Sequence, residues 1–397
     1  MGSPTIPITK PLIGEAEWEA ARRPIVSGWL TQGPEVAAFE REFAAYVECK
    51  HACAVSSCTT ALHLALLCVG VKPGDEVITV SHSFIATANS IRYCGATPVF
   101  IDIEPDTFNM DPALIEGAIT ERTRCILCVH QMGMPCDMKA ILDIARRHSL
   151  PVVEDAACAI GSEILWNGRW ERIGKPHADI ACFSFHPRKV ITTGDGGMIT
   201  TSDPEADRQL RLLRQHGMSV PDVARHGAKE VIFESYVLLG YNYRMTDIQA
   251  AVGREQLKRL PEIVERRRLL AARYRELLAG VPGLKCPEEP PWARSNWQSF
   301  CVRLPQGSDQ RAVMQFMLDR GIATRRGIMC THLEPTYGGQ PPAASAGNSA
   351  LQGASRIPAQ LNESESAQGQ GILLPLFPQM TSEEQSRVVG ALRGSLA

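Results

Sequence analysis

The sequence contains no apolar run approaching the roughly 20 residues that a membrane-spanning helix needs. It has no excess of either charge. The 41 Lys and Arg stand against 43 Asp and Glu, a formal net charge of -2, which gives no electrostatic footprint for nucleic acid. Its 10 histidines and 13 cysteines are not clustered in the way a metal centre requires, so no metal site is expected. The cysteines are odd in number and scattered through apolar segments, which suits small buried hydrophobes in a reducing cytoplasm. The first ten residues carry Pro4 and Pro7 and no apolar core, so no secretory signal is expected. What is present is an ordinary globular composition, 44% hydrophobic and 21% charged, over 397 residues. That length predicts two domains.

The middle of the chain alternates short β-branched runs with helical patterns. Strands are expected at Ala52–Ser56, Glu76–Val80, Thr97–Ile101, Cys125–Val129 and Pro151–Val153, with helices between them at Ala61–Val69, Ala86–Cys94, Pro112–Ala118 and Met138–His148. Such alternation predicts βαβ units and a buried, mostly parallel sheet. Ligands of these sheets bind outside the carboxyl ends of the strands, so the residues just after each strand are the informative ones.

Three of those junctions carry chemistry. In the stretch Asp179–Thr200, an apolar strand leads into a polar turn, within Ser184–Lys189, that presents Lys189 between hydroxyls and a glycine-rich bend, Gly194-Asp195-Gly196-Gly197. A lysine so placed suits covalent catalysis by an amine, and Lys189 is read as the Schiff-base partner of pyridoxal phosphate; a solvated surface lysine is the alternative. Asp155 closes the strand Pro151–Val153 and precedes the small residues Ala156-Ala157-Cys158-Ala159. A carboxylate buried there needs a cation, and a pyridinium nitrogen would serve; a helix cap is the alternative. The turn Ser57-Cys58-Thr59-Thr60 opens a helix, where free N–H groups and hydroxyls make an anion site; a plain N-cap satisfies it equally.

Further on, helices are expected at Asp247–Leu257 and Ile263–Leu278, with a polar loop over Pro221–Glu234. The domain boundary is placed at residues 265/266, leaving a large α/β domain of residues 1–265 and a small α+β domain of residues 266–397. In the latter, strands are expected at Gln298–Leu304 and near Ala323, and helices at Gln310–Arg320 and Thr381–Leu392. Between Gly338 and Gly371 a Gly/Ala/Ser/Gln-rich stretch reads as a mobile surface loop or lid.

With these pieces placed, the sequence resembles the DegT/DnrJ/EryC1/StrS family of pyridoxal-phosphate-dependent sugar aminotransferases over almost its whole length. The resemblance rests on Ser27-Gly28-Trp29-Leu30-Thr31-Gln32-Gly33-Pro34, Val55-Ser56-Ser57 with Thr59, Ser83-Phe84-Ile85-Ala86-Thr87-Ala88-Asn89 and Gly95-Ala96-Thr97-Pro98-Val99. It continues through Glu154-Asp155-Ala156-Ala157, Ser184-Phe185-His186-Pro187-Arg188-Lys189, Gly240-Tyr241-Asn242-Tyr243-Arg244 and Leu374-Pro375-Leu376-Phe377-Pro378. It implies the aspartate-aminotransferase fold (fold type I). It also implies that Lys189 holds the cofactor and shuttles the proton, with Asp155 on the pyridine nitrogen and Phe84 stacked on the ring. Cys58, Thr59 and Ser184 would hold the phosphate, joined by Asn242 from the neighbouring subunit of a homodimer. Two positions depart from the family pattern: Cys58 stands where glycine is usual, and Cys158 where glutamine or histidine faces the phenolic oxygen. A thiol is a weak hydrogen-bond partner at that oxygen.

The implied reaction moves an amino group from an amino acid, glutamate foremost, to a ketone on a nucleotide-linked sugar or a cyclitol. Weaker candidates for substrate contact are Trp29, Thr31, His186, Arg244, Arg326 and His332, whose cationic and donor groups suit a diphosphate. A sugar dehydratase of the same fold is the alternative within pyridoxal enzymes, but relatives of that kind carry histidine in place of Lys189. A non-catalytic regulator would be expected to lack Lys189 or Asp155, and both are present.

Overall fold

The computed structural model describes residues 5–220, 225, 230–338 and 355–396. Its strands, in chain order, are β1 (His51–Val55), β2 (Glu76–Val80), β3 (Thr97–Ile101), β4 (Thr123–Val129), β5 (Val152–Asp155), β6 (Glu163–Trp166), β7 (Arg169–Arg172), β8 (Ile180–Ser184), β9 (Gly197–Thr201), β10 (Ala293–Arg294), β11 (Phe300–Arg303), β12 (Arg325–Arg326) and β13 (Gly371–Leu374). Seven form the central sheet, in the order β1-β9-β8-β5-β4-β2-β3. The pairs from β3 through β8 are parallel, whereas β9 runs antiparallel to both its neighbours. That reversal has a direct consequence. The β8–β9 connection, residues 185–196, turns back at the carboxyl edge of the parallel strands and carries Lys189 with it.

Every residue of β2, β8 and β9 is buried, as expected for strands covered by helices on both faces. The spacing Cys125-Ile126-Leu127-Cys128 is that of a metal or redox pair, but side chains alternate along a strand and β4 sends these two to opposite faces. Cys125 joins the core with Leu62 and Leu210, and Cys128 the core with Phe39 and Phe183. All 13 cysteines are free.

The edge strand β1 is pinned by buried charge. Glu40 accepts from the Ala54 amide (2.9 Å) and from Arg211 (2.7 Å), and it also pairs with Arg214. The two guanidiniums in turn donate to the Ala52 (2.8 Å) and Ala54 (2.7 Å) carbonyls. Burial alone would push the Glu40 carboxyl up, but the two arginines hold it below the usual carboxylate range.

Several sequence expectations are corrected. The helices expected at Asp247–Leu257 and Ile263–Leu278 are one helix, Asp247–Leu278, running through Pro261. An internal proline removes a hydrogen bond at a loss of about 3 kcal/mol, which burial along the helix outweighs. Ala250, Leu257, Leu260, Ile263 and Val264 pack into the core of the sheet, and Leu270, Ala271, Tyr274 and Leu278 into a second core with Phe300, Ile372 and Val388. The helix expected at Pro112–Ala118 is a 3-10 turn, Pro112–Leu114, followed by a single α turn, Ile115–Ala118. A hairpin absent from the sequence reading, β6–β7, pairs with β10 in a separate sheet.

The stretch read as a mobile loop or lid between Gly338 and Gly371 is in part a helix, Asn362–Gln370. The Asp102 carboxylate, at the end of β3, accepts from the Glu363 and Ser364 amides (2.8 Å each) and from the Ser364 hydroxyl (2.6 Å). Helix starts are stabilised by such acceptors; here the acceptor lies more than 250 residues away, so local composition could not announce it. Residues 339–354 of that stretch, and 221–224 and 226–229 of the polar loop, lie outside the described residues.

Candidate active site

At the end of β1, Ser57 caps the helix Cys58–Cys68: its hydroxyl accepts from the Thr60 amide (3.2 Å) and its carbonyl from Ala61 (3.0 Å). The helix starts three residues earlier than its sequence pattern indicated, so Cys58 and Thr59 occupy its first turn. Their N–H groups have no partner within the helix and none among the described residues, which leaves two donors at the positive end of the helix dipole. The turn is held by close approach of β9. A Cβ on Gly197 would lie 2.6 Å from the Ser57 carbonyl and 2.8 Å from the Cys58 nitrogen. Backbone cannot retreat as a side chain can, so only glycine fits. Val55 and Ser184 both stand opposite Gly197, which sets the buried Ser184 beside this turn.

Asp155 ends β5 and is buried. One carboxylate oxygen accepts from the Thr87 hydroxyl (2.8 Å) and the other from the Ala157 amide (3.2 Å). Burial pushes its pKa up, and the Thr87 and Ala157 hydrogen bonds, with Lys189 and His130 nearby, only partly offset this. No salt bridge to Asp155 occurs among the described residues. A buried carboxylate left in this state is matched to a cation brought by a ligand. Thr87 also hydrogen-bonds the Ser83 hydroxyl (2.8 Å), which ties the segment carrying Phe84 to Asp155. The Phe84 ring itself is 69% exposed, an aromatic face open to a planar ligand.

Lys189 is half-buried in the β8–β9 connection, where its Nζ donates to the Cys158 sulfur at 3.0 Å. Burial works against its ammonium, but Cys158 and Asp155 outweigh burial and raise its pKa above that of an ordinary lysine. In the protein alone, therefore, the neighbours of Lys189 favour its charged form. Cys58 completes the group. Its buried thiol lies 3.7 Å from the Cys182 carbonyl, and Asp155 and Lys189 are close enough to perturb it. Cys182 stands opposite Asp155 in the sheet.

Lys189, Asp155, Cys58 and Cys158 thus converge, with Thr59, Ser184 and Phe84 around them. The donor set suits pyridoxal phosphate at each end: an amine for the aldehyde, a buried carboxylate for the ring nitrogen, an open phenyl for the ring, and free N–H groups for the phosphate. Thr87 and Asn296 were missed by the sequence reading. Thr87 falls within the stretch already singled out around Phe84, in the first turn of the helix that follows it. Asn296 donates to the Cys158 (2.8 Å) and Ile160 (2.8 Å) carbonyls across more than 130 residues, and nothing local marks it.

The weaker candidates are spread around this centre. Trp29 donates from its indole to the Gln32 carbonyl (3.3 Å), and Thr31 is exposed beside it. Their loop is clamped by Asp247, which accepts from the Gly33 (2.7 Å), Val36 (3.0 Å) and Glu35 (3.1 Å) amides. Asn242 is exposed; it bridges to Gln215, whose side chain meets Gln32 (3.4 Å). Arg244 bridges to Val55 at the end of β1. His186 is exposed, three residues before Lys189. His332 is held by Ser81 (2.6 Å) and Glu365 (3.3 Å), while the exposed Arg326 pairs with Glu334 (3.5 Å). The His186 carbonyl accepts from the Lys189 amide (2.8 Å), whereas the side chains of Thr31, His186, Arg326 and His332 make no hydrogen bond to Lys189 or Asp155 among the described residues.

Residues 11–393 match the model of the DegT/DnrJ/EryC1/StrS aminotransferase family. Among characterised proteins, the chain is 37% identical over 392 residues to the spore coat polysaccharide biosynthesis protein SpsC of Bacillus subtilis (strain 168), covering 98% of this chain and 96% of SpsC. Among solved structures it is similar to DesV of S. venezuelae, at 36% identity and a TM-score of 0.84, with 99% and 98% of the two chains covered. It is also similar to the aminotransferase TlmJ of Streptoalloteichus hindustanus, at 32% identity and a TM-score of 0.86, with 99% of each chain covered. The chain belongs to the DegT/DnrJ/EryC1/StrS aminotransferase family and is an aminotransferase that works with pyridoxal 5′-phosphate.

Proposed function

We propose that this enzyme takes the amino group of an amino acid, L-glutamate in this reading, and passes it to the keto group of a nucleotide-linked sugar. Lys189 holds the cofactor as a Schiff base. The observation that carries this is the convergence of Lys189 with the buried Asp155, which has no salt bridge among the described residues, at the carboxyl edge of the sheet. When bound, the cofactor supplies an electron sink; the rest is done by the chain. Asp155 keeps a proton on the ring nitrogen. Phe84 would cover one ring face, and Cys158 would stand on the phenolic side. Cys58, Thr59 and Ser184 hold the phosphate through N–H and hydroxyl donors. Lys189, once released by the donor, moves the proton at its Nζ. A relative named for polysaccharide biosynthesis supports a carbohydrate acceptor. Trp29, Thr31, His186, Arg244, Arg326 and His332 are proposed to face the acceptor and its diphosphate.

The test is a panel of nucleotide-linked keto sugars and keto-cyclitols incubated with enzyme and glutamate, read by mass spectrometry. An aminated nucleotide sugar with matching 2-oxoglutarate is expected. Amination of cyclitols alone would transfer the reading to that acceptor, and no product from glutamate would overturn the donor.

Two domains, residues 1–265 and 266–397, are proposed to enclose the site, and two chains to complete it. Next to Asn242, Val231, Phe233 and Leu239 are 83%, 90% and 86% exposed, with Tyr236 and Val237 exposed between them. A contiguous apolar segment of this kind is suited to burial against a second copy of the chain. Asn242 would then reach the partner's phosphate. Asn242→Ala is expected to weaken cofactor retention about tenfold, the loss of one charge-assisted hydrogen bond. Mixed dimers of Asn242→Ala with Lys189→Ala should regain part of the activity, because one of their two sites keeps both residues. Absence of rescue would place Asn242 on its own chain's site. No helix among the described residues is long and apolar enough to cross a membrane, and the free cysteines suit a cytoplasmic enzyme.

A further inference from the structure

Cys158 and Lys189 are in contact, 3.0 Å from sulfur to nitrogen. The contact is held from both sides. Asn296 anchors the Cys158 carbonyl (2.8 Å), and the Lys189 amide closes a turn on the His186 carbonyl (2.8 Å). Cys158 is also the one thiol of its neighbourhood that is not buried: Cys58 and Cys182 are, whereas Cys158 is partly open to solvent. An accessible sulfur with an amine in van der Waals contact has a reaction open to it that an isolated cysteine lacks, because a sulfenic acid condenses with a nearby nitrogen.

We propose that Cys158 and Lys189 form an oxidisable pair, in which a peroxide converts the two side chains into a sulfur–nitrogen cross-link that takes Lys189 out of use. In the first step the Cys158 sulfur is oxidised by two electrons, the peroxide O–O bond breaks, and sulfenic acid and water are formed. In the second, the Lys189 amine, having given up its ammonium proton, attacks that sulfur. The N–S bond forms, the S–O bond breaks, and the departing hydroxide leaves as water with a proton from nitrogen. The protein loses two hydrogens in all. A thiol reverses this by attacking sulfur and releasing the amine, and a second thiol restores Cys158. The consequence for activity rests on Lys189 being the cofactor's anchor; the cross-link itself does not. Bound cofactor occupies Lys189 and protects the pair. The exposed state is the one in which Lys189 is free.

The test uses the full-length protein with and without cofactor, treated with hydrogen peroxide and mapped by peptide mass spectrometry. In the cofactor-free protein, a loss of two hydrogens, about 2 Da, is expected in a linked pair of peptides carrying Cys158 and Lys189, reversed by dithiothreitol. Cofactor should slow its formation at least tenfold. Cys158→Ser should not form the link. Lys189→Ala should instead accumulate a sulfenic acid at Cys158 that dimedone traps, which keeps the test decisive if Cys158→Ser folds poorly. Cys49, Cys68 and Cys286, partly exposed and with no hydrogen bond from a lysine ammonium among the described residues, serve as controls in the same digest. A disulfide between Cys158 and Cys58, or stepwise addition of oxygen at Cys158 (about 16 Da each) with no link to Lys189, would overturn the proposal. Neither outcome would touch the assignment of Lys189 as anchor, which is read separately from the position of the reduced cofactor label.

Discussion

Replacing Lys189 with alanine is expected to lower amino transfer by about a thousandfold or more, the range in which a positioned proton-transfer group contributes. The variant should still fold and still hold cofactor, less tightly, through the phosphate turn and Asp155. The reasoning is geometric. Lys189 sits on a connection whose backbone is fixed without it: Phe185 pairs with Gly196 (2.9 Å), and the Thr192 hydroxyl and Thr193 amide both return to the Phe185 carbonyl (2.8 and 3.0 Å). The side chain is therefore separable from the loop that carries it. Stopped-flow traces of the donor half-reaction, with circular dichroism to confirm folding, would check this. A loss of less than tenfold would mean that another group moves the proton.

The second large effect belongs to Asp155, and it has opposite signs in two states of the protein. Burial raises the Asp155 pKa in the folded chain above its unfolded value. A carboxyl with a raised pKa weakens the fold as pH rises through that pKa, because the folded state must then keep a buried charge that the unfolded state solvates freely. Asp155→Asn removes the penalty, so the cofactor-free variant is expected to melt at or above the wild-type temperature at neutral pH. The gap should narrow as pH is lowered toward the ordinary carboxylate range. With cofactor the order should reverse. The wild-type carboxylate then has its cation and the amide does not, so the gain in melting temperature on adding cofactor shrinks, and turnover falls about a hundredfold as the ring nitrogen loses its proton. Paired thermal melts with and without cofactor check the first part and steady-state rates the second. An amide variant that melts lower without cofactor and reacts at the normal rate would remove both roles.

Much of this site was legible in the sequence because strand ends are local features. A β-branched run broken by Asp155, or by the Ser57–Thr60 turn, marks a carboxyl edge whatever lies elsewhere, and three such edges in parallel strands must point the same way. What could not be read was set by distant partners. Gly197 is required by the backbone of Ser57 and Cys58, 140 residues earlier, and reads locally as one more glycine in a bend. Cys158 gave no sign of contact with Lys189. The helix Asn362–Gln370 owes its start to Asp102, and the helix through Pro261 survives because its two halves are buried in different cores. Local propensity argued against both helices, and tertiary contacts decided them.

The most direct test of the account is to reduce the cofactor-loaded protein with borohydride, digest it, and locate the pyridoxyl group. The account requires it on Lys189 alone, with no label in Lys189→Ala. A label on any other lysine, or an undiminished label in that variant, would contradict it.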